Sequence, residues 1–220
     1  MIPTAEFCII FFISYLLGSI SGSMLMGKLK GVDIRKIGSG NAGGTNAFRT
    51  MGAIFALGVV LIDVLKGFIA VKYIPLLQLG GILEANLITN IELLHIFCGI
   101  GAVLGHVYPV YYGFKGGKGA GTMVGVLAAL FPMYLIIGLP IWLIILVSSG
   151  YVGLSTISVG VILPVSTAIY YEGGLGTPFG IFTIIISLFI IFTHRSNISR
   201  MRTGNENRFE KAMIFRKNNH

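Results

Sequence analysis

Long runs of apolar residues dominate this chain and restrict the folds that are open to it. The runs cover roughly residues 7–27, 51–74, 91–112, 119–138, 139–150, 151–171 and 178–193. About 20 apolar residues are enough for a helix to cross a bilayer. Charged residues make up 11% of the 220 residues, too few to cover a water-exposed surface, since roughly 25% is usual in soluble domains. The sequence therefore predicts an all-α polytopic membrane protein, with one transmembrane domain over residues 1–220.

The charged residues indicate which loops face the cytoplasm. The net charge is +8, which in a soluble protein would suggest a nucleic-acid partner, but here it gathers beside apolar runs. Most basic residues fall in three stretches, at 28–49, 115–118 and 194–217, whereas acidic residues occupy the other gaps: Glu6, Glu84, Glu92 and Glu172. Lysine and arginine accumulate in the cytoplasmic loops of membrane proteins. We therefore expect these three stretches in the cytoplasm, the N-terminus outside and no nucleic-acid partner.

The number of crossings depends on residues 119–171. Pro132, Pro140 and Pro164 could each mark a kink inside a helix or a break between helices. From a cytoplasmic stretch at 115–118, the chain needs two or four further crossings to end with a cytoplasmic C-terminus. The total is then five or seven transmembrane helices. The apolar length favours seven, with 139–150 short or tilted.

The first basic stretch has the composition of a phosphate-binding loop. Residues 38–49 read GSGNAGGTNAFR. Glycines free the backbone to turn successive N–H groups toward an anion, and hydroxyl, amide and guanidinium groups add further donors. These polar side chains are Ser39, Asn41, Thr45, Asn46 and Arg49. A flexible loop is the alternative, but flexibility alone needs no asparagine, threonine or arginine among the glycines.

The second basic stretch combines glycines with two lysines just before an apolar run. Residues 113–122 read GFKGGKGAGT, which lacks the spacing of a nucleotide-binding P-loop. The start of the following helix would place its N–H groups and its positive dipole end near Lys118. Lys115 fits a basic anchor at the membrane surface, whereas Lys118, between glycines, is more typical of a ligand for an anion.

The third basic stretch follows the last apolar run. Residues 194–206 read HRSNISRMRTGNE. If this segment is helical, His194 and Asn197 share one face and point together at the headgroup level. The alternative is a basic tail that holds anionic lipid. That alternative suits the later basic residues: Arg208, Lys211, Arg216 and Lys217.

Three ionisable residues lie within the apolar runs. Asp63 and Lys66 are three residues apart in the second run, and His106 lies near the cytoplasmic end of the third. Charges at membrane depth are costly and usually face the interior of the helix bundle. Lys66 could pair with Asp63 or reach a substrate phosphate, and His106 could be structural or act as an acid–base group. Cys8 and Cys98 lack the spacing of metal ligands, so no metal site is expected.

In their order and separation, the three stretches resemble the motifs of the bacterial acyl-phosphate:glycerol-3-phosphate acyltransferase (PlsY) family. The family motifs GSGNxGATNxxR, KGGKG and HRxNIxRLxxGxE are similar to Gly38–Arg49, Lys115–Gly119 and His194–Glu206. The likeness covers nearly the whole chain. Gly44 stands where the family usually has alanine, and Met201 where it has leucine, but no departure removes a polar side chain.

The resemblance implies transfer of a fatty acyl group from acyl phosphate to the 1-hydroxyl of glycerol 3-phosphate. The products would be lysophosphatidic acid and phosphate, in the first acylation step of phospholipid synthesis. It also implies seven transmembrane helices in the bacterial inner membrane, an active site facing the cytoplasm, and no metal, nucleotide or other cofactor. The expected partners are glycerol 3-phosphate, acyl phosphate and membrane lipids, and the protein is expected to be a monomer. A small-anion transporter is the alternative, but its polar groups would follow a path through the midplane.

The hypothesis divides the polar residues between the two anionic substrates. The phosphate of glycerol 3-phosphate is assigned to five residues: Ser39, Arg49, Lys118, His194 and Asn197. Acyl phosphate and its developing oxyanion are assigned to the remaining amide and hydroxyl groups: Asn41, Thr45 and Asn46. Lys66 and His106 complete the polar wall. The acceptor for the hydroxyl proton is left open among His106, His194 and the substrate phosphate, since no nucleophile-elbow pattern occurs, and Lys118 and Asn46 are also expected to act in catalysis.

Overall fold

The computed structural model describes residues 4–77 and 91–214, and every regular element within them is helical. Helices suit an apolar environment because each one satisfies its backbone N–H and C=O groups within its own segment. The α-helices are, in chain order, α1 Thr4–Gly18, α2 Gly22–Lys30, α3 Gly44–Met51, α4 Ala53–Tyr73, α5 Ile91–Val107, α6 Ala120–Leu130, α7 Met133–Ser149, α8 Val152–Tyr170, α9 Pro178–Thr193 and α10 Arg195–Arg202. The all-α prediction is confirmed for these residues, while Glu84, Arg216 and Lys217 lie outside them.

Four helical stretches of the described chain are long and apolar enough to cross a membrane. They are Phe7–Lys30, which includes α2, together with Ala53–Leu76, Ile91–Tyr112 and Val152–Tyr170. The pair α9 and α10, bent by 52°, adds a fifth if it counts as one span. α6 and α7 are apolar but shorter, with 11 and 17 residues. These lengths agree with a chain that crosses the membrane several times.

The region after the second basic stretch is divided at a different place from the one that the sequence predicted. The boundary expected near residue 138 lies inside α7, and the break between α6 and α7 falls at Pro132. Proline lacks the N–H that would continue α6, and it restricts the residue before it. Pro140 and Pro164 instead lie inside α7 and α8. Membrane helices tolerate such prolines when neighbouring groups satisfy the freed carbonyls.

The helices fall into two compact units, Met1–Pro132 and Met133–His220. In the first unit, α4 packs against α6, and α1 against α5. Glycines bring α4 and α6 together: a Cβ on Gly125 would overlap the carbonyl oxygen of Val64, and a Cβ on Gly67 would overlap that of Thr122. Small residues allow membrane helices this close backbone approach. The single domain over the whole chain stays a prediction.

Replacing Gly125 by alanine is expected to destabilise the first unit by about 1 to 3 kcal/mol, because the added methyl group must push α6 away from the backbone of α4. The measurement is thermal unfolding of the purified variant in detergent. Gly176→Ala is the matched control, since a Cβ there meets nothing within 4 Å. Equal melting temperatures for the two variants would contradict the close packing of α4 on α6.

In the second unit, the segment after α10 is fastened to the turn between α7 and α8. Phe209 N donates to Gly150 O at 2.7 Å. Arg208 Nε donates to the Tyr151 hydroxyl at 2.9 Å, and its guanidinium lies 5.0 Å from the centre of that ring. Arg208, which the sequence assigned to a lipid-holding tail, therefore also contributes to the fold.

Candidate active site

Asn46 holds the loop that precedes α3. Residues 38–43, here called the glycine loop, run directly into that helix. Asn46 is 2% exposed, and its Oδ1 accepts from Ser39 N at 2.9 Å. Its Nδ2 donates to the carbonyls of Ile34 and Ile37, each at 3.1 Å. The amide thus braces the loop from inside, a structural task that sequence analysis missed, and the contact of Asn46 with substrate stays a prediction.

The other polar residues of the first basic stretch are more accessible. Ser39 and Arg49 are exposed, whereas Asn41 and Thr45 are half-buried. Thr45 and Arg49 lie four residues apart on α3 and therefore share one face, while the buried Asn46 points to another. The structure places these four predicted ligands in one short segment, with a hydroxyl and a guanidinium on the same side of α3.

The lysine–glycine loop, residues 113–119, folds back over the end of α5. Gly116 N donates to Val107 O, and Gly117 N donates to His106 O, both at 3.2 Å. These two N–H groups satisfy carbonyls that α5 leaves open at its C-terminus, so they are not directed at an anion. The N–H donors that the sequence predicted beside Lys118 belong to the helix that follows this loop.

The start of α6 supplies further N–H donors. Gly119, with a φ of 90°, precedes Ala120, and no side chain caps this end of the helix. The first-turn N–H groups and the positive end of the helix dipole therefore lie next to Lys118. Lys118 is half-buried and Lys115 is exposed, which agrees with a ligand role for the first and an anchor role for the second.

One contact joins the glycine loop to the lysine–glycine loop, and a second joins the residues just before the two loops. A Cβ on Gly117 would lie 2.7 Å from Ala42 O, so the two backbones approach closely there. Arg35, just before the glycine loop, donates to Tyr112 O at 3.0 Å and forms a two-pronged pair with Asp33 at 2.9 and 3.0 Å. Through these hydrogen bonds, which favour the charged carboxylate, Arg35 holds the pKa of Asp33 below its ordinary value. Sequence analysis did not single out Arg35.

Asp63, Lys66 and His106 form a buried cluster in the first unit, and each is 3% exposed. Lys66 Nζ lies 3.0 Å from Asp63 Oδ1 and 2.9 Å from His106 Nδ1. Lys66 also donates to Ile20 O at 2.7 Å, and Asp63 Oδ1 accepts from Gly22 N at 3.1 Å. The pairing of Lys66 with Asp63 is confirmed, and a contact of Lys66 or His106 with substrate stays a prediction.

In the second unit, His194 and Asn197 are buried where α9 ends and α10 begins. The stretch is helical over α10, as the shared face of His194 and Asn197 requires, and His194 lies just before this helix. His194 Nδ1 lies 2.9 Å from Ile190 O. Because a carbonyl oxygen only accepts, Nδ1 carries the proton, and Nε2 holds the lone pair of the neutral ring.

Glu206 ties α10 to the segment that follows it. Asn197 Nδ2 donates to Glu206 Oε1 at 2.8 Å, and Arg200 Nε donates to Glu206 Oε2 at 2.6 Å. The glutamate side chain is 3% exposed, so these two donors take the place of the hydrogen bonds to water that the carboxylate loses on burial. Glu206 is the last residue of the third motif, but sequence analysis assigned it no task, because a spacing of nine positions does not show that its side chain meets Asn197.

Replacing Glu206 by glutamine is expected to destabilise the second unit by about 1 to 3 kcal/mol, since one donor to the buried carboxylate loses its charged acceptor. Thermal unfolding in detergent measures the effect. Glu210→Gln is the control, because Glu210 is exposed. If both variants melt at the wild-type temperature, the pairing of Glu206 with Asn197 and Arg200 contributes nothing to stability.

The described residues offer little to a metal ion. Within 4–77 and 91–214, no group of three or more histidine, cysteine, aspartate or glutamate side chains is placed to hold one. Cys8 is exposed, Cys98 is buried, and both are free thiols. Independence from metals and other cofactors stays a prediction.

The matching family model and two relatives of this chain share one description. A family model described as glycerol-3-phosphate acyltransferase matches residues 8–204. A protein of Chlorobium phaeobacteroides named glycerol-3-phosphate acyltransferase is 38% identical over 225 residues, which covers 90% of this chain and 94% of that protein. A protein of the same name from Prochlorococcus marinus is 40% identical over 204 residues, covering 92% and 98%.

Two solved structures are similar over almost the whole fold. Both are crystal structures of PlsY, an integral membrane glycerol 3-phosphate acyltransferase. The glycerol 3-phosphate form has a TM-score of 0.77 at 36% identity and covers 92% of this chain and 95% of its own. The lysophosphatidic acid form has a TM-score of 0.75 at 35% identity, covering 92% and 94%.

Proposed function

The chain belongs to the glycerol-3-phosphate acyltransferase family, and we propose that it transfers a fatty acyl group from acyl phosphate to the 1-hydroxyl of glycerol 3-phosphate. It is a membrane enzyme that acylates glycerol 3-phosphate. The products are lysophosphatidic acid and inorganic phosphate, in the first acylation step of phospholipid synthesis. The observation that carries this conclusion is the family match over residues 8–204. Transport of a small anion is set aside, because the family catalyses acyl transfer.

The phosphate of glycerol 3-phosphate is proposed to bind beside the start of α6. Lys118 supplies a cation there, and the uncapped helix end supplies N–H donors and a positive dipole. Arg49 and Ser39 are exposed on the neighbouring glycine loop and α3, and the close approach of Gly117 to Ala42 supports their shared role. His194 and Asn197 stay predicted ligands of the same phosphate.

Acyl phosphate is proposed to bind along the glycine loop. Asn41 and Thr45 are half-buried and can donate to phosphoryl oxygens. Donors held in place before the reaction stabilise the oxyanion that forms as the carbonyl is attacked. Because Asn46 braces this loop through backbone contacts, we propose that it acts mainly by holding these donors in position.

The reaction needs no acyl-enzyme, because acyl phosphate is already activated. The 1-hydroxyl oxygen attacks the acyl carbon, the bond from that carbon to the phosphate oxygen breaks, and phosphate leaves with the electron pair. The hydroxyl proton passes to a base, for which the leaving phosphate or His194 is proposed. His194 suits this task because Nδ1 faces Ile190 O, which leaves the lone pair on Nε2.

Seven crossings are proposed, with the N-terminus outside and the C-terminus in the cytoplasm. The four long spans, together with α6, α7 and α9, make seven apolar helical segments in the described chain. At 1.5 Å per residue, α6 is only about 16 Å long, so we propose that the bilayer is thinner around it and that α6 still completes one crossing. The positions of the basic stretches support a site that faces the cytoplasm. We also propose that the protein is a monomer and that its membrane is the bacterial inner membrane.

The test is acyl transfer by the purified protein in detergent. With palmitoyl phosphate and glycerol 3-phosphate, we expect equal amounts of phosphate and lysophosphatidic acid. Palmitoyl-CoA in place of the acyl phosphate should give little product, and glycerol should fail as the acceptor because it lacks the phosphate. Phosphate release without lysophosphatidic acid, or equal use of palmitoyl-CoA, would overturn the proposed reaction.

A further inference from the structure

We infer that the buried cluster of Asp63, Lys66 and His106 is a positioning device that sets the place of Lys118. This inference rests on the proposed function, in which Lys118 binds the phosphate of glycerol 3-phosphate. The cluster does not supply the base that accepts the hydroxyl proton in the transfer reaction, because all three side chains are 3% exposed and are engaged with one another. It acts through the lysine–glycine loop.

The cluster joins several helices of the first unit. Asp63 and Lys66 belong to α4, and His106 to α5. Asp63 accepts from Gly22 N at the start of α2, and Lys66 donates to Ile20 O in the break between α1 and α2. A Cβ on Gly121 of α6 would lie 3.3 Å from the Asp63 Cβ. An ion pair in an apolar helix is costly to bury, and here it fixes the relative positions of four helices.

Lys66 also fixes the orientation of the His106 ring. An ammonium group only donates, so at 2.9 Å the His106 Nδ1 accepts from Lys66 Nζ. In the neutral ring the proton is then on Nε2. The Nδ1 edge is held by α4, and the Nε2 edge therefore points in a fixed direction.

The fixed Nε2 edge meets the lysine–glycine loop. A Cβ on Gly117 would overlap His106 Nε2 and would lie 2.7 Å from Ala42 O. Gly117 N donates to His106 O at 3.2 Å. Gly117 is therefore confined between the ring of His106 and the backbone of the glycine loop, and the next residue is Lys118. Movement of the ring must move the lysine relative to the start of α6.

The kinetic consequence is a defect in substrate binding. Replacing His106 by leucine leaves the Lys66–Asp63 pair and the Ile20 contact in place, so the fold is retained. The lysine–glycine loop loses its support. We expect KM for glycerol 3-phosphate to rise about 10-fold or more, because small misplacements of binding groups have large kinetic effects. The kcat at saturation should change by less than about 3-fold, and the shape of its pH profile should stay that of the wild type, because no proton-transfer group is lost.

Three further variants complete the experiment. His106→Asn retains an acceptor for Lys66 and should give a KM between those of the wild type and His106→Leu. His95→Leu, on the same helix and half-buried, is the control and should leave KM unchanged. Asp63→Leu combined with Lys66→Met removes both charges together and should raise KM as His106→Leu does. Calorimetric titration with glycerol 3-phosphate should rank the variants by Kd in the same order as by KM.

The outcomes separate this inference from the proposed function. If kcat of His106→Leu falls about 100-fold with KM unchanged, His106 is the base and the positioning role is wrong. Unchanged KM and Kd in every variant would also overturn it, and so would a His106→Asn variant as impaired as His106→Leu. If the wild type fails to use acyl phosphate, the proposed donor is wrong, and the Kd values for glycerol 3-phosphate still decide the role of the cluster.

Discussion

Replacing Lys118 by alanine is expected to lower the rate of acyl transfer by about 100-fold or more, while the protein keeps its fold. The side chain is half-buried beside an uncapped helix start, so its charge acts where water is partly excluded. Both substrates are anions, and the departing phosphate gains charge as the acyl bond breaks. The measurement is the initial rate of phosphate release at several concentrations of glycerol 3-phosphate.

Lys115→Ala is the matched control for this prediction. Lys115 lies in the same loop and carries the same charge, but it is exposed. If loss of any lysine from the loop were enough to lower the rate, both variants would be impaired alike. A Lys118→Ala variant with wild-type rates would remove Lys118 from the proposed site.

Replacing Asn46 by alanine is expected to have the second large effect, a loss of stability of about 3 kcal/mol or more together with a loss of activity. Three hydrogen bonds are lost: Ser39 N loses its acceptor, and the carbonyls of Ile34 and Ile37 each lose one donor, although Ile37 N and Gly40 N still donate to them. Each lost hydrogen bond costs roughly 1 kcal/mol. The glycine loop then loses its brace, so its donors no longer converge. Thermal unfolding and the transfer assay measure the two effects on the same preparation.

Asn46→Asp tests the contribution of the amide donor separately. The aspartate keeps the acceptor for Ser39 N but replaces the amide donor with an oxygen that faces two carbonyl oxygens, so it should be at least as harmful as alanine. Asn205→Ala is the control, because Asn205 is exposed and its side chain donates to the exposed hydroxyl of Thr203, while its backbone N–H bond to Arg200 O does not depend on the side chain. Full stability of Asn46→Ala with lost activity would show a role in substrate binding alone.

The helices were predictable because their signal is local. The second apolar run, expected at 51–74, is the helix Ala53–Tyr73, and the last, expected at 178–193, is Pro178–Thr193. The pairing of Asp63 with Lys66 also follows from spacing, since residues three apart share a helix face. Pro132 could not be separated from Pro140 or Pro164 by the same reasoning, because a proline breaks a membrane helix only where nothing else satisfies the freed carbonyl.

The candidate site was predictable in its members but not in their tasks. Composition identified the glycine loop and Lys118 as groups suited to an anion. It did not reveal that the Gly116 and Gly117 N–H groups close the end of α5, or that Asn46 faces inward. Both facts depend on which element lies next to the loop, and a single sequence carries no direct record of such neighbours.

The most direct test of the proposed phosphate site is a crystal structure of this protein with glycerol 3-phosphate bound. We expect phosphate oxygens within hydrogen-bonding distance of Lys118 Nζ and of N–H groups in the first turn of α6, with the Asp63–Lys66–His106 cluster unchanged. A phosphate bound elsewhere, with Lys118 turned away from it, would contradict the proposed site.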